Sequence, residues 1–259
     1  MFSGMVFPAT FGFSGNFMFT RSQHIYDLLY RAMGKDYQAE VDDLRSVFVA
    51  NGLDLDSAER PLRMLDVACG TGRHLELFTE FDRVGLDLDP GMLDVARMRC
   101  PDVPLFERDM VELDPEELGA PFDVVACLYA AIAYLQSEDD LRRAIGGMVD
   151  CLGVGGVLLI EPFIEVEDYR PDHLHVIQAE EEGLKVVRMS ETRLEGQRFT
   201  IDFHYLQGEG GKVRHFTETH VTTLFSRAQI MSAMEDAGLV DVHRKDDFSP
   251  RGLMVGRRG

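Results

Sequence analysis

Three short stretches carry residues whose types and spacing could hold a nucleoside. The first, Leu65-Asp66-Val67-Ala68-Cys69-Gly70-Thr71-Gly72, follows directly on an apolar run. Gly70 and Gly72, with small Ala68 before them, let the backbone approach a ligand with little side chain in the way. The second is Asp87, 17 residues beyond Gly70 at the end of another apolar run. A carboxylate there can accept both hydroxyls of a ribose, the logic that dinucleotide folds use. The third is Arg108-Asp109-Met110, where Asp109 could accept from an adenine amino group while Met110 packs on the ring. Singly, each has a plain alternative: a structural turn, a solvated strand end (with Asp89 the better helix cap), a solvated loop acid. Three together, behind three consecutive apolar runs, point to one pocket.

Such residues meet only if strands and helices bring them together. Met64–Ala68, Arg83–Asp87, Val103–Glu107, Phe122–Cys127 and Val157–Glu161 read as buried strands. Helices are expected over Gly72–Phe81, over Pro90–Arg99 with Pro in the first turn, and over Glu138–Leu152. The last has apolar positions at Leu141, Ile145, Met148, Val149 and Leu152, with Gly155 and Gly156 past its end. This alternation predicts a parallel sheet covered on both faces, binding ligands beyond the carboxyl ends of its strands. From Phe163 to about Leu224 the rhythm turns β-rich, over Lys185–Ser190, Phe199–Leu206 and Val213–Leu224, with a turn at Glu209-Gly210-Gly211. Ser226 reads as the cap of a helix closed by Gly238, and Leu239–His243 and Gly252–Val255 complete the sheet. The expected fold is α/β, doubly wound, mostly parallel and seven-stranded, with an antiparallel β insertion after strand 5. The expected division is residues 1–60 as a helical or flap segment over the pocket, 61–162 and 223–259 as the main domain, and 163–222 as an insertion serving substrate or dimer contact.

The charge narrows the partners. With 45 acidic against 26 basic residues the net charge is −19, which repels nucleic acid and anionic membranes. Cys69, Cys100, Cys127 and Cys151 form no CxxC pair or zinc-spaced cluster. They read as reduced thiols of a cytoplasmic protein, and no metal is expected. The first twenty residues hold six Phe and no charge; Pro8 and three glycines make them neither a secretory signal nor a membrane span. They read as a loose tail or an apolar flap.

A dinucleotide fingerprint would place a third glycine where Leu75 stands. The D-x-A-x-G-x-G form instead resembles the first motif of class I S-adenosylmethionine-dependent methyltransferases. Within that family the chain resembles the sugar N-methyltransferases of antibiotic biosynthesis and the related lincosamide N-methyltransferases, from about Tyr26 to Val255. The resemblance rests on Tyr26-Asp27-Leu28, Gly34-Lys35-Asp36-Tyr37, Leu65–Gly72 with His74, Gly85-Leu86-Asp87, Asp109-Met110, Glu161-Pro162, Arg214-His215-Phe216, Thr223-Leu224-Phe225 and Arg251-Gly252-Leu253. It implies a Rossmann-like methyltransferase sheet. S-adenosylmethionine would be cofactor, S-adenosylhomocysteine product, and the amino group of a nucleotide-linked aminosugar the acceptor; a homodimer is also implied. Tyr26 and Tyr37 would line the methionine end, Ala68, Gly70 and Gly72 approach by backbone, Asp87 hold the ribose, and Asp109 with Met110 the adenine. Arg251 would lie near an anionic part of the substrate. Met18 stands where relatives often carry a Tyr, Phe163-Ile164-Glu165 where they are Trp-rich, and Tyr129-Ala130-Ala131 where they read Phe-Ser-Ser. All three places would face the acceptor.

The sulfonium already carries an activated methyl, so the protein must chiefly align a nucleophile and exclude water. A neutral amine needs no dedicated base, whereas a hydroxyl would. Tyr129, Tyr134 and His220 are the candidate catalytic groups. His220 shares a strand face with Glu218 and Thr222 if pleating is regular; the plain alternatives are a packed pocket wall for each Tyr and a surface residue for His220. Other readings stay open: another small acceptor, a dinucleotide-dependent oxidoreductase, or a binder that keeps the fold without catalysis.

Overall fold

The computed structural model describes residues 21–56 and 60–259; the Phe-rich start, including Met18, lies outside them. Two helices come first, α1 (Tyr26–Ala32) and α2 (Tyr37–Ala50). The main sheet then begins with β1 (Arg63–Val67), β2 (Asp82–Asp87), β3 (Leu105–Glu107), β4 (Phe122–Cys127) and β5 (Leu152–Ile160). Between them run α3 (Arg73–Leu77), α4 (Pro90–Arg99) and α5 (Glu138–Asp150). An antiparallel sheet follows, β6 (His175–Glu181), β7 (Leu184–Glu195), β8 (Arg198–Glu209) and β9 (Lys212–Thr223). The chain returns through α6 (Arg227–Asp236), β10 (Leu239–Lys245) and β11 (Leu253–Arg258).

The seven-stranded order is β10-β11-β5-β4-β1-β2-β3, with β11 antiparallel to both neighbours and the other pairs parallel. This is the doubly wound Rossmann-like sheet. Its inner strands β1, β2, β4, β5 and β11 are mostly buried on both faces, as crossover helices require. Leu65, Val67, Val125, Leu158 and Ile160 pack on one face with Ile145 and Met148 of α5. Met64, Val124, Ala126, Val157 and Leu159 pack on the other with Val41, Leu44 and Phe48 of α2. The strand order reverses between β4 and β1, and the ends of β1, β2 and β4 open there toward one crevice.

The caps follow from the sequence. Asp89 accepts from the N–H groups of Gly91 and Met92 and starts α4 with Pro90 in its first turn. Ser137 caps α5, whose first turn carries Glu138, Asp139 and Asp140, the favoured sign for a helix N-terminus. Ser226 and Gln229 close a reciprocal capping box on α6.

Several boundaries differ from the pattern-based expectation. Helix α3 stops at Leu77 rather than Phe81, because Phe78 and Phe81 turn inward onto Phe48, with ring centroids 5.8 and 5.6 Å away. Strand β5 starts at Leu152: it pairs Leu152 with Phe122, then resumes at Val157 with Val124. The intervening residues loop out through Gly155 at φ +79°. The insertion has a fourth strand, β6, whose residues are mostly exposed apart from Ile177; an edge strand with one buried position has no apolar alternation to read.

Candidate active site

The loop after β1 is shaped by three left-handed residues, Ala68 (φ 60°), Gly70 (φ 56°) and Gly72 (φ 75°). For Ala68 that conformation costs about 1–2 kcal/mol, so surrounding contacts must hold it. They do so through Asp87 at the end of β2. Gly70 N–H donates to Asp87 Oδ2 at 2.8 Å and Asp89 N–H to Oδ1 at 2.8 Å. Burial pushes the Asp87 carboxyl up to about 6, against the lowering effect of these two amides. A side chain on Gly72 would approach Ala96 Cβ to 3.2 Å, whereas one on Gly70 would meet open space. The close approach of helix to sheet that a third glycine would serve is supplied from the strand: Gly85 lies under Leu75, whose Cδ1 would be 2.6 Å from a Cβ there.

Beneath this loop Asp66 is 2% exposed, and its Oδ2 has no hydrogen-bond partner among the described residues. Burial raises its carboxyl to about 7, with Asp87 adding and His74 opposing. After β3, Asp109 accepts from Val111 N–H at 3.0 Å, and half-buried Met110 packs against the main core.

An aromatic wall stands beside the loop. Tyr26 and Tyr30 lie 4.3 Å apart by ring centroid, and Tyr30 meets Tyr129 edge-on at 4.8 Å. Burial holds the hydroxyls of Tyr26, Tyr37 and Tyr129 above their ordinary value, so these rings stay neutral. The Lys35 ammonium sits 3.8 Å from the Tyr129 centroid and 4.9 Å from that of Tyr37. It pairs with Glu40 at 2.7 Å, and Glu40 reaches His74 Nε2 at 3.0 Å; burial lowers Lys35 while Glu40 opposes that. Asp27 of α1 ties the N-terminal helices to the glycine loop, accepting from Thr71 Oγ1 at 2.8 Å and pairing with Arg73 and Arg99.

Tyr129 and Ala130 are also left-handed, at φ 53° and 62°. Glu161, 2% exposed, holds this bend by accepting from Tyr129 N–H at 2.8 Å. Its other oxygen pairs with Arg251, whose guanidinium lies 5.0 Å over the Tyr129 ring. Arg251 thus stands at the aromatic wall with its charge matched by Glu161. Tyr134 ends a 3-10 turn at Ala131–Tyr134, and its hydroxyl lies 2.8 Å from His220 Nδ1. His220 is 1% exposed and meets Phe203 edge-on at 4.9 Å, so the surface alternative for it is removed. It shares the buried face of β9 with Glu218 and Thr222.

The structure therefore gathers Tyr26, Tyr37, Ala68, Gly70, Gly72 and Asp87 around the first two strand ends. Asp109 and Met110 follow β3, and Tyr129, Tyr134, His220 and Arg251 form the opposite side. Site reasoning on the sequence missed Tyr30, Glu40 and the bracing role of Glu161. Lys35 lay inside the Gly34–Tyr37 block, where spacing alone gave it no task.

Residues 64–156 match the model of a methyltransferase domain family. The chain is 36% identical over 235 residues to a dTDP-3-amino-3,4,6-trideoxy-alpha-D-glucopyranose N,N-dimethyltransferase of Streptomyces venezuelae, covering 90% of this chain and 95% of the relative. It is 35% identical to a dTDP-4-amino-2,3,4,6-tetradeoxy-D-glucose N,N-dimethyltransferase of Saccharopolyspora spinosa, covering 90% and 91%. Among solved structures it resembles an S-adenosylmethionine-bound amino pentose methyltransferase from Micromonospora echinaspora. That likeness has a TM-score of 0.79 and 33% identity, and covers 91% of this chain and 97% of the other.

Proposed function

The chain belongs to the S-adenosylmethionine-dependent methyltransferases, in the family of aminodeoxysugar N,N-dimethyltransferases, and from that premise we propose that it methylates the amino group of a nucleotide-linked aminodeoxysugar in antibiotic biosynthesis. The observation that carries the reading is Asp87. Its carboxylate, fixed by the Gly70 and Asp89 amides at the end of β2, is pre-set to accept from two hydroxyls beside an open glycine backbone. The orphaned Oδ2 of buried Asp66 fits the same ligand, since an ammonium or a water it carries would satisfy that acceptor.

Asp87 then holds the ribose, Asp109 and Met110 the adenine, and the backbone from Ala68 to Gly72 the methionine chain, which Tyr26 and Tyr37 line. Bound there, S-adenosylmethionine supplies a methyl group on a sulfonium. The rings of Tyr26, Tyr30 and Tyr129 exclude water, and their faces favour a cationic centre. Orientation is the main contribution, of the several kcal/mol that positioning can supply.

Tyr134 and His220 handle the proton. Burial raises the Tyr134 hydroxyl well above its ordinary value, so it stays protonated, with its oxygen 2.8 Å from His220 Nδ1. Each transfer turns a neutral amine into an alkylammonium, which must lose a proton before a second transfer. That proton passes to the Tyr134 oxygen as the Tyr134 proton moves to His220 Nδ1, leaving an imidazolium. Calorimetric titration with S-adenosylhomocysteine, and then with thymidine diphosphate, tests the reading: binding of both supports it, and a folded protein that binds neither overturns it.

A further inference from the structure

Arg188 is a buried cation with no ion pair among the described residues. It projects from β7 and is 5% exposed. Its guanidinium lies 4.5 Å from the Phe203 ring centroid and 5.8 Å from that of Tyr30. Among the described residues its one hydrogen bond is from Nη2 to the Met33 sulfur at 3.7 Å, and Nε has no partner there. Arginine is almost never buried unless paired, and this fork carries five donors in a plane. Two aromatic faces attract the charge but accept few hydrogen bonds.

The rest of the chain offers no obvious neutraliser. Residues 1–20 contain no Asp or Glu, and the one acid among residues 57–59 is Glu59. Glu59 adjoins Arg60, which pairs with Asp123 near the start of β4, at the far end of the strands from the crevice. The missing anion therefore comes with a ligand.

The position indicates which ligand. Tyr30, against which Arg188 packs, also contacts Tyr26 and Tyr129 of the aromatic wall. Along the same buried sheet face, Arg188 is registered with Tyr205 and Phe216, two side-chain rows from His220. In the next row outward Gln207 is registered with Arg214. There Arg21, His24, Gln207, Arg214 and Phe216 line a cavity of about 440 Å³, with Arg21 5.2 Å over the Phe216 ring. In a chain of net charge −19, Arg188, Arg21 and Arg214 gather here beside one buried acid, Glu218, which accepts from Arg21 N–H at 2.8 Å and Ser22 Oγ at 2.6 Å and has no ion pair to a guanidinium among the described residues.

We propose that Arg188 is the anion-recognising residue of the acceptor site, its guanidinium binding a phosphate of the acceptor's diphosphate, with the Arg21–Arg214 cavity receiving the outer part of the same molecule. Arg251 is paired with Glu161 through Nη2 and braces the Tyr129 bend, and its Nε, which has no hydrogen-bond partner among the described residues, keeps a donor for an anionic part of the same acceptor. The inference rests on the reading of the acceptor as a sugar nucleotide.

The test is calorimetric titration of thymidine diphosphate, and separately of thymidine, into S-adenosylhomocysteine-loaded wild-type protein, Arg188→Met and Arg188→Lys. A charged hydrogen bond corresponds to a loss of roughly 10- to 100-fold in affinity. That loss is expected for the diphosphate in Arg188→Met, a smaller one in Arg188→Lys, and none for thymidine or S-adenosylhomocysteine in either. If Arg188→Met fails to fold, Arg188→Lys carries the test, with a loss confined to the diphosphate. Diphosphate affinity within twofold of wild type, in variants that bind S-adenosylhomocysteine normally, overturns the assignment and leaves the acceptor reading standing. Weakened S-adenosylhomocysteine in folded variants also overturns it, giving the guanidinium to the cofactor's carboxylate. A wild-type protein that binds S-adenosylhomocysteine but no diphosphate removes the acceptor reading and this inference together.

Discussion

Replacing Glu161 by Gln removes a charge and one acceptor without changing shape. The carboxylate serves two donors at once, Tyr129 N–H at 2.8 Å and the Arg251 guanidinium. An amide keeps one acceptor oxygen and turns an NH2 group toward the other donor, so one contact must fail. Loss of a hydrogen bond to a charged group at a site 2% exposed costs about 1.5–3 kcal/mol. The bend it holds stores a similar amount, since Tyr129 and Ala130 are both left-handed at about 1–2 kcal/mol each. The bend should therefore relax in Glu161→Gln and carry Tyr129 away from Tyr30 and Lys35. If that energy is lost at the transition state, kcat/KM falls roughly 10- to 150-fold. If it is lost from the fold, Tm drops by about 3–12 °C at this chain length. Steady-state kinetics and thermal unfolding read the two. A double-mutant cycle with Arg251→Met should be strongly non-additive, because both residues act through one carboxylate. Glu161→Gln with unchanged kcat/KM and unchanged Tm would refute the reasoning, as would full additivity with Arg251→Met.

Further outcomes follow from the other contacts. Asp87, pushed from its ordinary 3.8 up to about 6 by burial, favours the folded state most when protonated. Its contribution is full below pH about 4 and lost as pH rises through about 6. Asp87→Asn relieves that penalty at pH 7.5 but keeps one acceptor oxygen for two amide donors, so the two effects offset and Tm should stay near wild type while S-adenosylhomocysteine binding is abolished; wild-type affinity should fall as pH drops below about 6, and thermal unfolding and calorimetry across pH check both. Tyr134→Phe and His220→Gln should each lower kcat by roughly 10²-fold or more while leaving S-adenosylhomocysteine affinity intact, and unchanged turnover in both would remove the proton relay. Gly85→Ala places a methyl 2.6 Å from Leu75 Cδ1 and 2.8 Å from Leu105 Cδ2, so thermal unfolding should show a loss of about 1–3 kcal/mol from overpacking.

The first three strand ends were legible because their chemistry is local: a glycine turn, then Asp87, then Asp109, each just behind an apolar run. The seven-stranded sheet was legible for the same reason, since its inner strands are mostly buried on both faces and read as continuous apolar segments. Strand β6 was not, because burial of Ile177 alone leaves no period. Helix α3 was over-extended because Phe78 and Phe81 continue an apolar pattern that tertiary packing on Phe48 redirects. The Lys35–Glu40–His74 chain and the Glu161–Arg251 brace join residues that neither spacing nor composition relates. Arg188 falls inside the Lys185–Ser190 strand, where alternation alone gives it no task. Only the packing of α1 across that strand's inner face shows that its guanidinium is enclosed.

The most direct test of the central claim is mass spectrometry of products after incubating the protein with S-adenosylmethionine and a thymidine-diphosphate-linked aminodeoxysugar. The account predicts one or two added methyl groups located on the sugar nitrogen, with matching formation of S-adenosylhomocysteine. Methylation on oxygen, or no transfer to any aminodeoxysugar nucleotide by protein that binds S-adenosylhomocysteine, would contradict it.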